Sequence, residues 1–137
     1  MLLKERLIEI NKMANDGQLG EDTYKEKYNG RLDIWAGPYC NGKSQVAGGM
    51  SSGIYQCSTS VTARDLLNEE FIYAMRNGGT YLVDEIGESN DDFIAFLDYL
   101  SKTNSVNPSD YNLIGGEIEI SPSFKMICTF TVPTYLF

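Results

Sequence analysis

The chain has 137 residues, 42% apolar and 22% charged, proportions that predict one domain or a fragment of a larger one and exclude disorder, a fibrous repeat and a multidomain assembly. Its 11 Lys and Arg stand against 19 Asp and Glu, a net charge of −8, so a nucleic-acid surface is not indicated. The lack of histidine excludes Ser-His-Asp and Cys-His catalysis and imidazole-bound zinc, leaving carboxylates, lysine, hydroxyls or a bound metal for any chemistry.

In chain order, Met1-Leu2-Leu3-Lys4-Glu5-Arg6 contains no uninterrupted signal-peptide core. No apolar run anywhere approaches the roughly 18 residues of a membrane span. The expectation is therefore a soluble, cytoplasmic protein. Leu3, Leu7 and Ile10 form a helical stripe that fades at Asn15-Asp16-Gly17. Residues 18–30 are polar and charged and read as a linker. Residues 32–36 read as a short strand ending at Gly37-Pro38. The glycine-rich loop that follows opens a brief helix over residues 44–50, because Gly48 and Gly49 replace strong helix formers at about 1 kcal/mol each. Residues 54–57 form the next strand.

Thr62 with Asp65 three residues on resembles a capping box. Leu67, Phe71, Ala74 and Met75 line the one helix it starts, and Gly78-Gly79 ends it. Tyr81-Leu82-Val83 is a buried strand running into Asp84-Glu85. Asn90, with Asp91 and Asp92 at the positive end of the helix dipole, starts the clearest helix, whose Phe93, Phe96, Leu97 and Leu100 recur at i, i+3, i+4 and i+7. Residues 101–110 read as a loop and residues 113–120 as a small hairpin turning at Gly115-Gly116. Residues 124–130 are nearly continuous in apolar side chains, like a strand buried on both faces. Strands alternating with helices predict an α/β domain with a mainly parallel sheet. The three cysteines, Cys40, Cys57 and Cys128, are too widely spaced for a metal clip or a disulfide framework and read as reduced thiols.

Gly37-Pro38-Tyr39-Cys40-Asn41-Gly42-Lys43-Ser44 fits GxxxxGK[ST], the phosphate-binding loop or Walker A motif. The pattern arises by chance in a chain of this length on the order of once in a few hundred sequences. It also lies between a predicted strand and a predicted helix, which aims backbone N–H groups and a helix N-terminus at a phosphate. The nucleotide-binding residues are then Gly37 through Ser44, with Gln45 following. Lys43 reaches the β- and γ-phosphates and the Ser44 hydroxyl holds Mg²⁺. The plainer alternative is a glycine-rich turn with an incidental lysine. Tyr81-Leu82-Val83-Asp84-Glu85 has the form of a Walker B motif, its carboxylates at the strand end where an open α/β sheet places ligands. Asp84 is the Mg²⁺ residue, and Glu85 orients and polarises an attacking water. Alone, an Asp-Glu pair at a strand end is more often a solvated turn; the upstream loop reverses that reading.

The order Gly37-Pro38, Gly42-Lys43-Ser44, then Arg64-Asp65-Leu66-Leu67, then Ala74-Met75-Arg76-Asn77-Gly78-Gly79 leading into Walker B, resembles the AAA+ ATPases. It is most similar to the MoxR and dynein-related branch. Residues 121–129 resemble that branch's sensor 1 strand, and residues 113–120 the insertion before it. The resemblance spans residues 32–133. It implies a P-loop NTPase three-layer α/β/α sandwich, with residues 31–137 as the AAA+ core behind an N-terminal helix and linker over residues 1–30.

The resemblance further implies ATP and Mg²⁺ as ligands, a homo-oligomeric ring, and remodelling of a protein or other macromolecule. It puts the sensor 1 role, catalytic alongside Lys43 and Glu85, at Thr131, where relatives commonly carry Asn; a threonine merely at a strand edge is the alternative. Family members continue into a fifth strand, an arginine finger and a helical lid, so a core truncated after sensor 1 is expected. Neither Arg64 nor Arg76 lies at the finger's place. Hydrolysis by the chain alone is then slow, because supplied arginines contribute about 10³ to 10⁵ in kcat. Three other readings stay open: a degenerate module that binds nucleotide without hydrolysis, a small-molecule P-loop kinase, and a protein-interaction domain.

Overall fold

Residues 1–20, 22–38 and 42–132 are described by a computed structural model. The main sheet contains β1 (Tyr24–Lys27), β2 (Leu32–Gly37), β3 (Gly53–Gln56), β4 (Thr80–Asp84) and β7 (Lys125–Thr131), in the order β1-β2-β7-β4-β3. β2, β7, β4 and β3 are parallel, and β1 pairs antiparallel with β2. The chain is thus an α/β fold with a mostly parallel five-stranded sheet.

Alternation along the strands sorts side chains onto two faces. Leu32, Ile34, Val83, Met126 and Cys128 point into the larger core. There they meet α1 (Leu3–Asn15), α4 (Glu69–Asn77) and α5 (Asp91–Lys102). Phe71 of α4 is fully buried and packs edge-on against Tyr81 and Phe124, with ring centroids 4.9 and 5.5 Å apart. On the opposite face Trp35, Leu82 and Ile127 meet Ala47 of α2 (Lys43–Gly49). Helices on both faces are compatible with a three-layer α/β/α arrangement. The crossover from β2 to β3 through α2 runs away from β2, and those through α4 and α5 run back across the other face. Opposite directions on opposite faces preserve one crossover hand. Among the described residues, no helix is long and apolar enough to cross a membrane.

Three local expectations change. The residues expected to be linker contain β1, whose Tyr24 and Glu26 face α1 while Lys25 lies over the Trp35 ring, 4.1 Å from its centroid. β1 holds the sheet edge beside β2, so a further strand can join only outside β1 or β3. The single helix expected after Thr62 is two: α3 (Ala63–Leu66), started by the Thr62–Asp65 capping box, and α4, restarted by Asn68 accepting from the Phe71 N–H. Asn68 followed by two glutamates is itself a strong N-cap, and it wins over continuation. The hairpin pairs β5 (Ser105–Val106) with β6 (Ile118–Glu119), not residues flanking Gly115-Gly116. Its first strand lies in the stretch read as loop, and a 3₁₀ turn at Pro108–Tyr111 occupies the long connection.

α1 and β1 are joined by charge. Arg6 pairs with Glu26 and with Glu9, and the Tyr24 hydroxyl also donates to Glu26. The Arg6 guanidinium holds the Glu26 carboxyl below its ordinary value of 4.5, with help from Tyr24. A depressed folded-state pKa adds stability above that ordinary value and loses it as the pH falls through the folded value. Glu26→Gln should therefore cost about 1 kcal/mol at pH 7. The gap from wild type should close on acidification, as compared in urea melts at pH 7 and pH 3; a gap that widens in acid would contradict the assignment.

Candidate functional site

The register brings Gly37 level with Thr131 and Gln56 level with Asp84, so the carboxyl ends of all four parallel strands lie along one edge. β7 runs between β2 and β4. The strand carrying Thr131 is therefore wedged between the one that precedes the glycine-rich loop and the one that ends in two carboxylates. α2 starts at Lys43, directly after Gly42 in the left-handed region at φ 83°. Among the described residues nothing lies within 4 Å of where a side chain at residue 42 would begin, and the backbone angle itself calls for glycine.

From this start the first turn of α2 reaches the strand ends. Lys43 is only 4% exposed, with Nζ 3.3 Å from the Pro38 carbonyl and 3.6 Å from Glu85 Oε1. A buried ammonium needs such partners. The Ser44 hydroxyl donates to Asp84 Oδ1 at 2.7 Å, and Thr129 donates to the same oxygen at 2.6 Å. Thr131 Oγ1 lies 2.8 Å from each carboxylate oxygen of Glu85. Glu85 itself is left-handed, at φ 58° and ψ 59°, which for a non-glycine residue costs on the order of 1 kcal/mol or more. That turn ends β4 and starts the 3₁₀ segment Ile86–Glu88.

The predicted Gly37, Pro38, Gly42, Lys43 and Ser44 thus gather with Asp84, Glu85 and Thr131 at one place. Gln45 is exposed on α2. Tyr39, Cys40 and Asn41 lie outside the described residues, as does Pro133. Arg64 and Arg76 are exposed on α3 and α4. Cys57 and Cys128 are free and buried. Burial, with Asp84 and Glu85 adding to it, pushes the Cys57 thiol up to about 12, and burial also raises Cys128. Both stay neutral at physiological pH, as expected of core thiols, and are poor nucleophiles and metal ligands.

Among the described residues, no group of three or more His, Cys, Asp or Glu is placed to hold a metal unaided. Ser44 and Asp84 supply an adjacent hydroxyl and carboxylate. These hard oxygen donors suit Mg²⁺, which keeps several waters and is usually bound by one or two carboxylates together with phosphate oxygens. The residue that sequence reasoning missed is Thr129, fully buried and bonded to the Asp84 carboxylate and to the backbone N–H of Glu85 at the end of β4. Its only local signal is a hydroxyl interrupting the apolar run Met126-Ile127-Cys128. Scanned against protein-family models and searched against curated proteins, the chain matches none.

Proposed function

We propose that this chain binds ATP with Mg²⁺ at the carboxyl edge of its sheet and hydrolyses it, as an AAA+-type P-loop core that works in an oligomeric ring to remodel a macromolecule. One observation carries the reading: Lys43 and Ser44 in the first turn of α2 converge on Asp84, Glu85 and Thr131 from two other strands. A sensor residue must lie between the phosphate loop and the catalytic carboxylate, and β7 occupies that position.

In this reading Lys43 leaves the Glu85 carboxylate to pair with β- and γ-phosphate oxygens. Ser44 and Asp84 would hold Mg²⁺, which would supply neutralisation of phosphate charge. Glu85, released by Lys43 and steadied by Thr131, accepts a hydrogen bond from water and aligns it for in-line attack on the γ-phosphorus. Asp84 and Glu85 without Lys43 would repel a polyphosphate, so the lysine decides whether the anion enters.

The test is thermal melting of the protein with ATP, ADP or adenosine, each with Mg²⁺ and with EDTA. ATP at 100 times its Kd should stabilise the fold by about 2.7 kcal/mol. Adenosine should not, because the site holds phosphates; no shift with any nucleotide at millimolar concentration sinks the proposal. A non-hydrolysing nucleotide module is the second reading, favoured by the shortness of α2, which spans 7 residues and ends in Gly48-Gly49. Phosphate release measured over a range of protein concentrations separates the two. A ring gains specific activity with concentration, whereas the module releases none.

A further inference from the structure

A buried hydroxyl is costly unless its hydrogen bonds are made. Thr129, with no exposed surface, makes two, and both go to consecutive residues of the neighbouring strand. Its Oγ1 accepts from the Glu85 N–H at 2.7 Å and donates to Asp84 Oδ1 at 2.6 Å. The described register between β4 and β7 ends at Val83 opposite Cys128. Beyond that point the left-handed turn at Glu85 takes its N–H out of the ladder. An amide turned out of the ladder needs another acceptor, and the fully buried Thr129 side chain supplies it. Because the hydroxyl receives that N–H, its own proton is directed to Asp84. Oδ1 then accepts from two hydroxyls, Thr129 and Ser44.

We infer that Thr129 is the positioning residue of this site, a single hydroxyl that sets the Asp84 side chain toward Ser44 and holds the backbone turn that points Glu85 at Lys43 and Thr131. It acts through the Asp84 carboxylate and the Glu85 backbone and is assigned no contact with nucleotide or metal. Its consequence for Mg²⁺ and turnover rests on the nucleotide reading above; the clamp itself does not. The sequence-based sensor, Thr131, performs a different task two residues on, holding the Glu85 carboxylate and not its backbone.

Two variants divide hydroxyl from packing. Thr129→Val keeps the volume and branching but removes both hydrogen bonds; Thr129→Ser keeps both bonds and removes the methyl. The first measurement needs no ligand: amide hydrogen exchange at Glu85 by NMR on the full chain. Exchange should be slow in wild type and in Thr129→Ser, and at least about tenfold faster in Thr129→Val. The second is binding of methylanthraniloyl-ATP, titrated with Mg²⁺ and repeated in EDTA. Thr129→Val should bind within about threefold of wild type in EDTA, yet lose about 10- to 100-fold in apparent Mg²⁺ affinity, the range for loss of a group that orients a metal ligand. Thr129→Ser should restore it.

Fast exchange at Glu85 in wild type, or equal protection in Thr129→Val, overturns the inference without reference to nucleotide. So does damage in Thr129→Ser matching that in Thr129→Val, which assigns the residue to packing. If Thr129→Val fails to fold, the wild-type and Thr129→Ser exchange rates still decide. If wild type binds no ATP analogue while its Glu85 amide is protected as expected, the nucleotide reading fails and the clamp stands.

Discussion

Lys43→Ala should weaken ATP binding by about 30- to 1,000-fold, corresponding to the roughly 2–4 kcal/mol lost when one member of a buried charge pair is removed. The effect is large because the ammonium is almost wholly enclosed and is the cation set nearest Glu85 at the strand ends. Without it, an incoming triphosphate meets Asp84 and Glu85 with no opposing charge from this helix turn. Alanine also deletes a buried stem, and packing loss alone can lower stability. Lys43→Met retains most of the stem and serves as the control: it should melt near wild type and bind ATP as poorly as Lys43→Ala. Calorimetric titration with ATP and Mg²⁺, beside melts of the free proteins, reads both effects. Unchanged affinity in both variants would show that the glycine-rich turn carries an incidental lysine.

Glu85→Gln separates binding from chemistry. A carboxylate that orients and polarises water contributes about 10² to 10⁴ in rate, so single-turnover phosphate release should fall by that factor. Binding should not fall, and should rise slightly. The Glu85 carboxylate lies 3.6 Å from the Lys43 ammonium and would compete with phosphate for it; a neutral amide would compete less. The amide oxygen can still accept from Thr131, and the backbone bond from the Glu85 N–H to Thr129 is untouched, so the turn at Glu85 should survive. A loss confined to kcat marks an interaction made in the transition state. Turnover equal to wild type would remove Glu85 from its role, and weakened binding would make it a structural partner of Lys43.

Much of the scaffold around these two residues is local in origin. β2, β4 and β7 are apolar runs flanked by turn residues, and each forms close to its expected span. α5 begins where Asn90 accepts from the Phe93 N–H, a cap legible from residue type alone. Gly78 ends α4 in the left-handed conformation that glycine supplies. The glycine-rich loop and the carboxylate pair are likewise readable as motifs, since their chemistry depends on residue type at fixed short spacing.

The parts that stayed hidden depend on partners distant in sequence. Tyr24-Lys25-Glu26-Lys27 alternates but is polar, and it becomes a strand because Arg6 satisfies Glu26 on one side and Trp35 receives Lys25 on the other. Ser105-Val106 is a strand only because Ile118-Glu119 folds back beside it. Thr129 is an ordinary strand residue until β7 is inserted next to β4; then its one hydroxyl meets two residues at the end of another strand. By itself, then, the amino-acid order determined most of the element types and named the groups proposed to handle a phosphate, because capping, periodicity and glycine-rich loops act over a few residues. Strand order and register were decided only by the tertiary structure, since pairing energies depend on the neighbour and not on the strand. Those two choices join Lys43, Ser44, Asp84, Glu85, Thr129 and Thr131 into one connected network of hydrogen bonds and an ion pair.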